Sequence, residues 1–203
     1  MPATARILPV FCLMQVIAIV CQADAILLPS SITAQGSFTN ASALVGDSVI
    51  PSEGTSWTAP TNLYWSGQTG ESGVVFTYDF GAPVTITELQ ISTDNNDSLG
   101  FEVSNDNISY SHLAQITIGD GEIFFGMDTM SSDSTHAEYE PNFDFAPATG
   151  RYLRFYARAG DGNFSVGEVQ AFGFVVPEPS SFCIVNFVFA TSALCRRRKL
   201  EFR

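Results

Sequence analysis

Val74-Val75-Phe76-Thr77-Tyr78-Asp79-Phe80, residues 74–80, decides the fold. Val74, Phe76, Tyr78 and Phe80 fall on one side of an extended chain and their neighbours on the other, the period-two alternation of a strand with one buried face. Gly81-Ala82-Pro83 follows and predicts a turn, because glycine and proline supply the backbone angles that turns need. Residues 84–92 then read as a second strand, rich in β-branched residues. Its apolar parity slips between Ile86 and Leu89, which predicts a bulge near Glu88. Working outward, residues 101–103 form a short strand, and Asn105-Asp106-Asn107 after it has turn chemistry. Residues 112–118, 122–125 and 142–145 are further candidate strands. Residues 151–157 place Leu153, Phe155 and Ala157 inward and Tyr152, Arg154 and Tyr156 outward, and residues 164–172 close the domain. No window of helical length carries a 3.6-residue period. The expectation is all-β, an antiparallel β-sandwich. Residues 47–73, with Trp57, Tyr64 and Trp65 among them, and the acidic residues 128–141 read as loops, where a rigid sandwich usually carries its binding residues.

Composition narrows the function classes. A chain of 203 residues with 45% hydrophobic content supports one ordinary core. The formal net charge is −12, unevenly spread. Arg6 lies near the start, and Arg196, Arg197, Arg198, Lys199 and Arg203 lie at the end. Between them stand only Arg151, Arg154 and Arg158, with no lysine. Such a surface repels phosphate backbones, which argues against a nucleic-acid partner. The cysteines, Cys12, Cys21, Cys183 and Cys195, all lie in the terminal apolar segments. A disulfide scaffold, a thiolate metal site and a cysteine nucleophile are therefore excluded from the body. No Gly-x-Ser-x-Gly elbow, His-Glu-x-x-His pair or phosphate-binding glycine loop is present. His112 and His136 are isolated, and His112 reads as strand decoration. Asp94-Asn95-Asn96-Asp97 has part of a calcium loop but not the glycine and distal glutamate of an EF-hand, and reads as a turn.

The two ends are addresses. Arg6, the apolar run 7–20 and Ala23-Asp24-Ala25 form a signal peptide over 1–25, with small residues at −3 and −1 before Ile26. At the other end, Pro177 and Pro179 stop any sheet or helix of the preceding domain, which spans 26–175. Residues 182–195 are apolar but shorter than the ~20 residues that span a bilayer comfortably. Arg196, Arg197, Arg198 and Lys199 then favour the cytoplasmic side.

Residues 40–173 resemble the discoidin-like family, also called the coagulation-factor C-domain or galactose-binding-like fold. The likeness rests on residues 75–81 with Val84-Thr85-Ile86, on Phe101-Glu102-Val103-Ser104-Asn105-Asp106, on Arg151-Tyr152-Leu153-Arg154-Phe155, and on residues 166–173. The resemblance implies an eight-stranded jelly-roll sandwich that binds rather than catalyses, often a glycan. The scarcity of basic residues argues against the anionic phospholipid surfaces that some members bind. Many bacterial members hold a structural calcium between an early loop and the last strand. Here Asp47 falls near the first position and Glu168 matches the second, although the family's usual Asp-Gly start is absent. Trp57 matches a tryptophan that is largely structural in the family. Tyr64 and Trp65 are either core residues or platforms that stack on sugar rings, with Arg158 and Asn163 as polar partners.

The tail is similar to the PEP-CTERM sorting signal. Its motif covers 176–181 with Pro177, Glu178 and Pro179, its apolar helix 182–195 and its basic tail 196–203. The resemblance implies transient membrane insertion and cleavage by an exosortase after export across the inner membrane, with delivery to the cell surface or extracellular matrix. The expected function is an exported, non-catalytic glycan-binding module. The rivals are a structural matrix component that displays an acidic surface and a glycan-acting enzyme with scattered carboxylates.

Overall fold

The computed structural model describes residues 24–40, 49–123 and 125–177. The signal segment up to Ala23, Asp47, and the sorting segment from Glu178 onward lie outside the described residues. Nine strands follow in order: β1 Ala25–Ile26, β2 Ser31–Gln35, β3 Leu63–Ser66, β4 Val75–Asp94, β5 Ser98–Ser104, β6 Ser111–Ile116, β7 Met127–Ser131, β8 Ala148–Ala159 and β9 Asn163–Val175. All paired strands are antiparallel. No helix among the described residues is long and apolar enough to cross a membrane.

The opening stretch sits at the centre of this architecture. Val74, Phe76, Tyr78 and Phe80 are buried as their alternation predicts. Gly81-Ala82-Pro83 does not reverse the chain, however, and β4 runs through it as one strand of 20 residues. The Gly81 amide donates to Asp79 Oδ1 at 2.7 Å, Gly81 takes a φ of +79°, and the pairing with β8 slips between Asp79 and Val84. Turn chemistry is absorbed here as an irregularity that bends the strand. Residues 75–79 pair with β2 and β8, residues 84–86 still touch β8 on one edge, and residues 84–94 pair with β9 and β7. One sheet thus reads β2-β4-β8-β5-β6. The other reads β7-β4-β9, with β1 and β3 sharing the outer edge of β9. The expected bulge is present, as a register shift between Ile86 and Glu88.

The core lies between these sheets. Phe76 is its hub, with ring centroids 5.2 Å from Phe38, 5.7 Å from Trp65 and 5.3 Å from Phe155. Leu153, Phe155 and Ala157 are fully buried, as their parity predicts. Tyr156 points outward but is also covered, its hydroxyl donating to Glu102 Oε1 at 3.0 Å.

Several expectations fail for local reasons. Glu122, Ile123 and Phe125 lie in no strand, and the amides of Glu122 and Ile123 donate to Asp128 Oδ2 instead. Residues 142–145 begin instead inside a 3₁₀ turn, Pro141–Phe143, whose Glu140 cap accepts the Asn142 amide. Residues 128–141 contain a strand, β7, and residues 47–73 contain another, β3. Asp94-Asn95-Asn96-Asp97 is the β4–β5 turn, closed by the Asp97 amide on the Asp94 carbonyl at 3.1 Å.

Candidate functional site

The start of β9 and the end of β3 lie side by side at one end of the sandwich. Leu63 pairs with Val166, Tyr64 with Ser165, Trp65 with Phe164, and Ser66 with Asn163. Alternation along β3 settles which aromatic faces which way. Leu63 and Trp65 point into the core, while Tyr64 is half-buried and Ser66 exposed. Trp65 is 2% exposed, packs at 5.6 Å on Phe164 and donates its indole N–H to the Gln68 carbonyl at 3.1 Å. It has no free face for a sugar, which corrects its assignment as a platform. A buried indole with its donor satisfied is a core residue.

The outward residues form a different group. Trp57, itself half-buried, meets Tyr64 edge-on, with centroids 5.6 Å apart and planes at 88°. The Trp57 loop is anchored because its carbonyl accepts from Ser165 Oγ at 2.8 Å. Beside Tyr64, Ser66 Oγ donates to Asn163 Oδ1 at 3.0 Å. Two partly exposed rings and a hydroxyl–amide pair thus share the outer surface of neighbouring strands. Rings of this kind cover the apolar face of a pyranose while amide and hydroxyl groups take its oxygens.

Arg158 does not join Tyr64 and Asn163. It ends β8 in the other sheet, where its stem covers the space that a side chain at Gly100 would fill. The outer face of that sheet holds a cluster that the sequence reading did not assemble. Arg154 bonds Glu102 and Glu71, each at 2.6 Å, and its guanidinium lies 3.8 Å from the Tyr110 ring centroid. Burial pulls the Arg154 pKa down, but the hydrogen bonds and charges of Glu102 and Glu71 together outweigh it and hold the group above its ordinary value. The outward parity of Arg154 was legible, but its partners come from distant strands and loops.

Glu168 is buried on β9 opposite Ser92, whose Oγ is buried without a hydrogen-bond partner. An unsatisfied buried oxygen beside a carboxylate suits a hard cation. Elsewhere at this end, Asp97 is 1% exposed, and the Ser165 amide donates to its Oδ2 at 3.2 Å. Burial first, and then the neighbouring Asp94 charge, push its carboxyl up to about 8. Phe125 is 77% exposed, the most open aromatic ring named in this region. The sequence reading put it in a strand.

No protein-family model matches the chain, and no curated protein matches it in sequence. Its backbone is similar to solved structures. An f-lectin (fucolectin) from striped bass (Morone saxatilis) serum superposes with a TM-score of 0.51 at 13% identity, over 75% of this chain and 50% of that one. The chain thus spans about half of that lectin. A fucose binding module from Streptococcus pneumoniae gives 0.47 at 10% identity, over 72% of this chain and 96% of that one. The C-terminal domain of a chitobiase from Bacteroides fragilis gives 0.47 at 15%, over 75% and 100%. The likeness to the f-lectin shows the sandwich fold expected from the sequence, and at 13% identity it shows nothing of the site.

Proposed function

We propose that this chain is an exported, non-catalytic glycan-binding module whose sugar site is the Trp57–Tyr64 surface beside Ser66 and Asn163. The observation that carries the reading is the half-exposed aromatic pair seated on the rigid β3–β9 ladder next to a hydroxyl–amide pair. A binding module gains from a preformed platform, since little side-chain freedom is then lost when a sugar docks. Asp47 and Glu168 would hold a calcium that ties the early loop to β9. An exosortase would be the sorting partner.

The test is affinity electrophoresis or a glycan array with the full chain. Tyr64→Ala and Trp57→Ala are each expected to weaken retention by tenfold or more while leaving the thermal transition within a few degrees. Retention that survives both substitutions, or uniform absence of retention across polysaccharides, overturns the assignment. Trp65→Ala cannot serve, because removing a buried indole costs about 3–5 kcal/mol and would abolish binding by unfolding.

A further inference from the structure

A second feature at the loop end stands apart from both the aromatic surface and Glu168. Glu53, Glu122 and Glu138 come from three separate loops, yet each offers a carboxylate oxygen within 4.8 Å of the other two. Glu53 and Glu122 are exposed and Glu138 is half-buried. Two oxygens that each lie about 2.4 Å from one calcium-sized ion can be at most about 4.8 Å apart, and each pair among the three meets that bound. Glu122 and Glu138 also line a cleft of about 110 Å³ with Gly121, Met130 and Glu140, which leaves room for coordinating water.

Among the described residues no lysine or arginine pairs with this group. The described residues hold no lysine, and their arginines, Arg151, Arg154 and Arg158, all lie on β8 in the other sheet. Arg151 is bonded to Asp79, and Arg154 to Glu71 and Glu102. His136 accepts the Glu138 amide at Nδ1.

An independent observation lies beneath the three glutamates. Asp128 on β7 is completely buried, and its Oδ1 has no hydrogen-bond partner among the described residues. Its Oδ2 accepts the Glu122 and Ile123 amides at 3.0 and 3.4 Å. The Glu53 loop closes on the adjacent residue, with Gly54 N donating to the Met127 carbonyl at 2.9 Å and Met127 N to the Thr55 carbonyl at 2.9 Å. Two of the three loops therefore converge on Asp128. Asp128 offers none of the oxygens within 4.8 Å of one another, so it supports an ion there by its charge, and a buried carboxylate without full compensation costs free energy that a nearby cation offsets.

We infer that Glu53, Glu122 and Glu138, backed by Asp128, form a binding site for a hard divalent cation of the calcium type. The donor set is all oxygen, with no imidazole or thiolate that would favour zinc. The ion clamps three loops to β7 and so stiffens the end of the sandwich that carries Phe125. The site shares no residue with the pair Asp47 and Glu168, nor with the aromatic surface, so it stands or falls independently of the glycan reading.

The test is calcium titration of the chelator-treated full chain by calorimetry and thermal denaturation. Three versions are compared: the parent, Glu122→Gln with Glu138→Gln, and Glu168→Gln. Calcium is expected to raise the parent transition by several degrees. The double variant should bind at least tenfold more weakly, yet be at least as stable as the parent in chelator, because amides remove the repulsion. The Glu168→Gln chain should keep this binding event. A fourth version, Glu53→Gln, changes a single exposed position and should weaken binding by the same order. Calcium binding that is unchanged in the double variant and in Glu53→Gln, or lost only in Glu168→Gln, overturns the inference. So does the absence of any saturable binding to the parent.

Discussion

Asp97 shows what a single residue contributes at the loop end. Its Oδ2 has the Ser165 amide, its Oδ1 has no partner, and Asp94 lies next to it. Burial, followed by the charges of Asp94 and Asp161, raises the carboxyl to about 8 from an ordinary value of 3.8. Between those limits the folded chain keeps a proton that the unfolded chain has released, so stability must fall as pH rises across that window. Asp97→Asn removes the titration while preserving shape and an acceptor for Ser165. The variant is expected to gain on the order of 2 kcal/mol over the parent at pH 8 and little at pH 4. Urea denaturation at pH 4, 6 and 8 measures this, and parallel parent and variant curves would contradict it. Residue identity made part of the site legible and hid the rest. Tyr64 and Trp65 are both aromatic, and Leu63-Tyr64-Trp65 is apolar throughout, so alternation alone gives no parity. The pairing with β9 decides it, and that pairing joins residues about a hundred positions apart. Arg158 fails as a partner for the same reason: its neighbour is Gly100, on a strand that the local sequence does not reveal as adjacent.

At the scale of elements, strands rich in apolar residues were legible and the buried but mostly polar β7 was not. The slip of apolar parity near Glu88 announced a real irregularity, since a bulge shifts every later side chain to the other face. Gly81-Ala82-Pro83 was ambiguous, because a hairpin turn and a strand bend call for the same backbone angles and only the partners of the flanking residues tell them apart. β7 was illegible because all five of its residues are buried, Asp128, Thr129 and Ser131 included. Its edge away from β4 is bonded by loops: Met127 to residues 54–55, and Ser131 to residues 138–140. Polar residues satisfied in this way carry no period-two signal. The β4–β9 ladder offers a sharper test of element geometry. Gly173 has a φ of +149°, and a Cβ there would collide with the Thr85 carbonyl oxygen beside the bulge. Gly173→Ala is expected to cost about 3 kcal/mol or more, a fall in Tm of about 10 °C. Gly162→Ala, with a φ of +93° but open space around it, should cost only about 1 kcal/mol. Equal effects from the two in thermal denaturation would show that the ladder tolerates movement at Gly173.

For the whole molecule, β9 runs between the two ends of the sandwich. Ala25 and Ile26 pair with Gly173 and Phe172, and the Leu27 amide donates to the Ala171 carbonyl at 2.8 Å. The Val176 amide donates to the Pro83 carbonyl at 2.9 Å, so the chain enters and leaves the sandwich at the same end. Tyr64, Ser66 and Asn163 lie at the opposite end of β9, a strand of 13 residues and thus about 40 Å long. A chain held in a membrane by its tail would present those residues away from the bilayer, as a module that meets glycan outside the cell requires. The same layout makes processing at either end compatible with the fold. Cleavage after Ala25 removes one residue of β1 but leaves the Ile26–Phe172 pair and the Leu27 bond. Cleavage near Pro177 falls beyond Val175, the last ladder residue. Mass spectrometry of the mature protein from producing cells is expected to find a chain that starts at Ile26 and ends close to Pro177-Glu178-Pro179. Replacing Pro177, Glu178 and Pro179 together by alanine should leave residues 196–203 attached and the protein in the membrane fraction, with its glycan retention unchanged because the site is some 40 Å from the cut. A secreted parent chain that still carries residues 196–203 would refute processing. A processing-defective chain that lost glycan retention while still folded would refute the separation of the two ends.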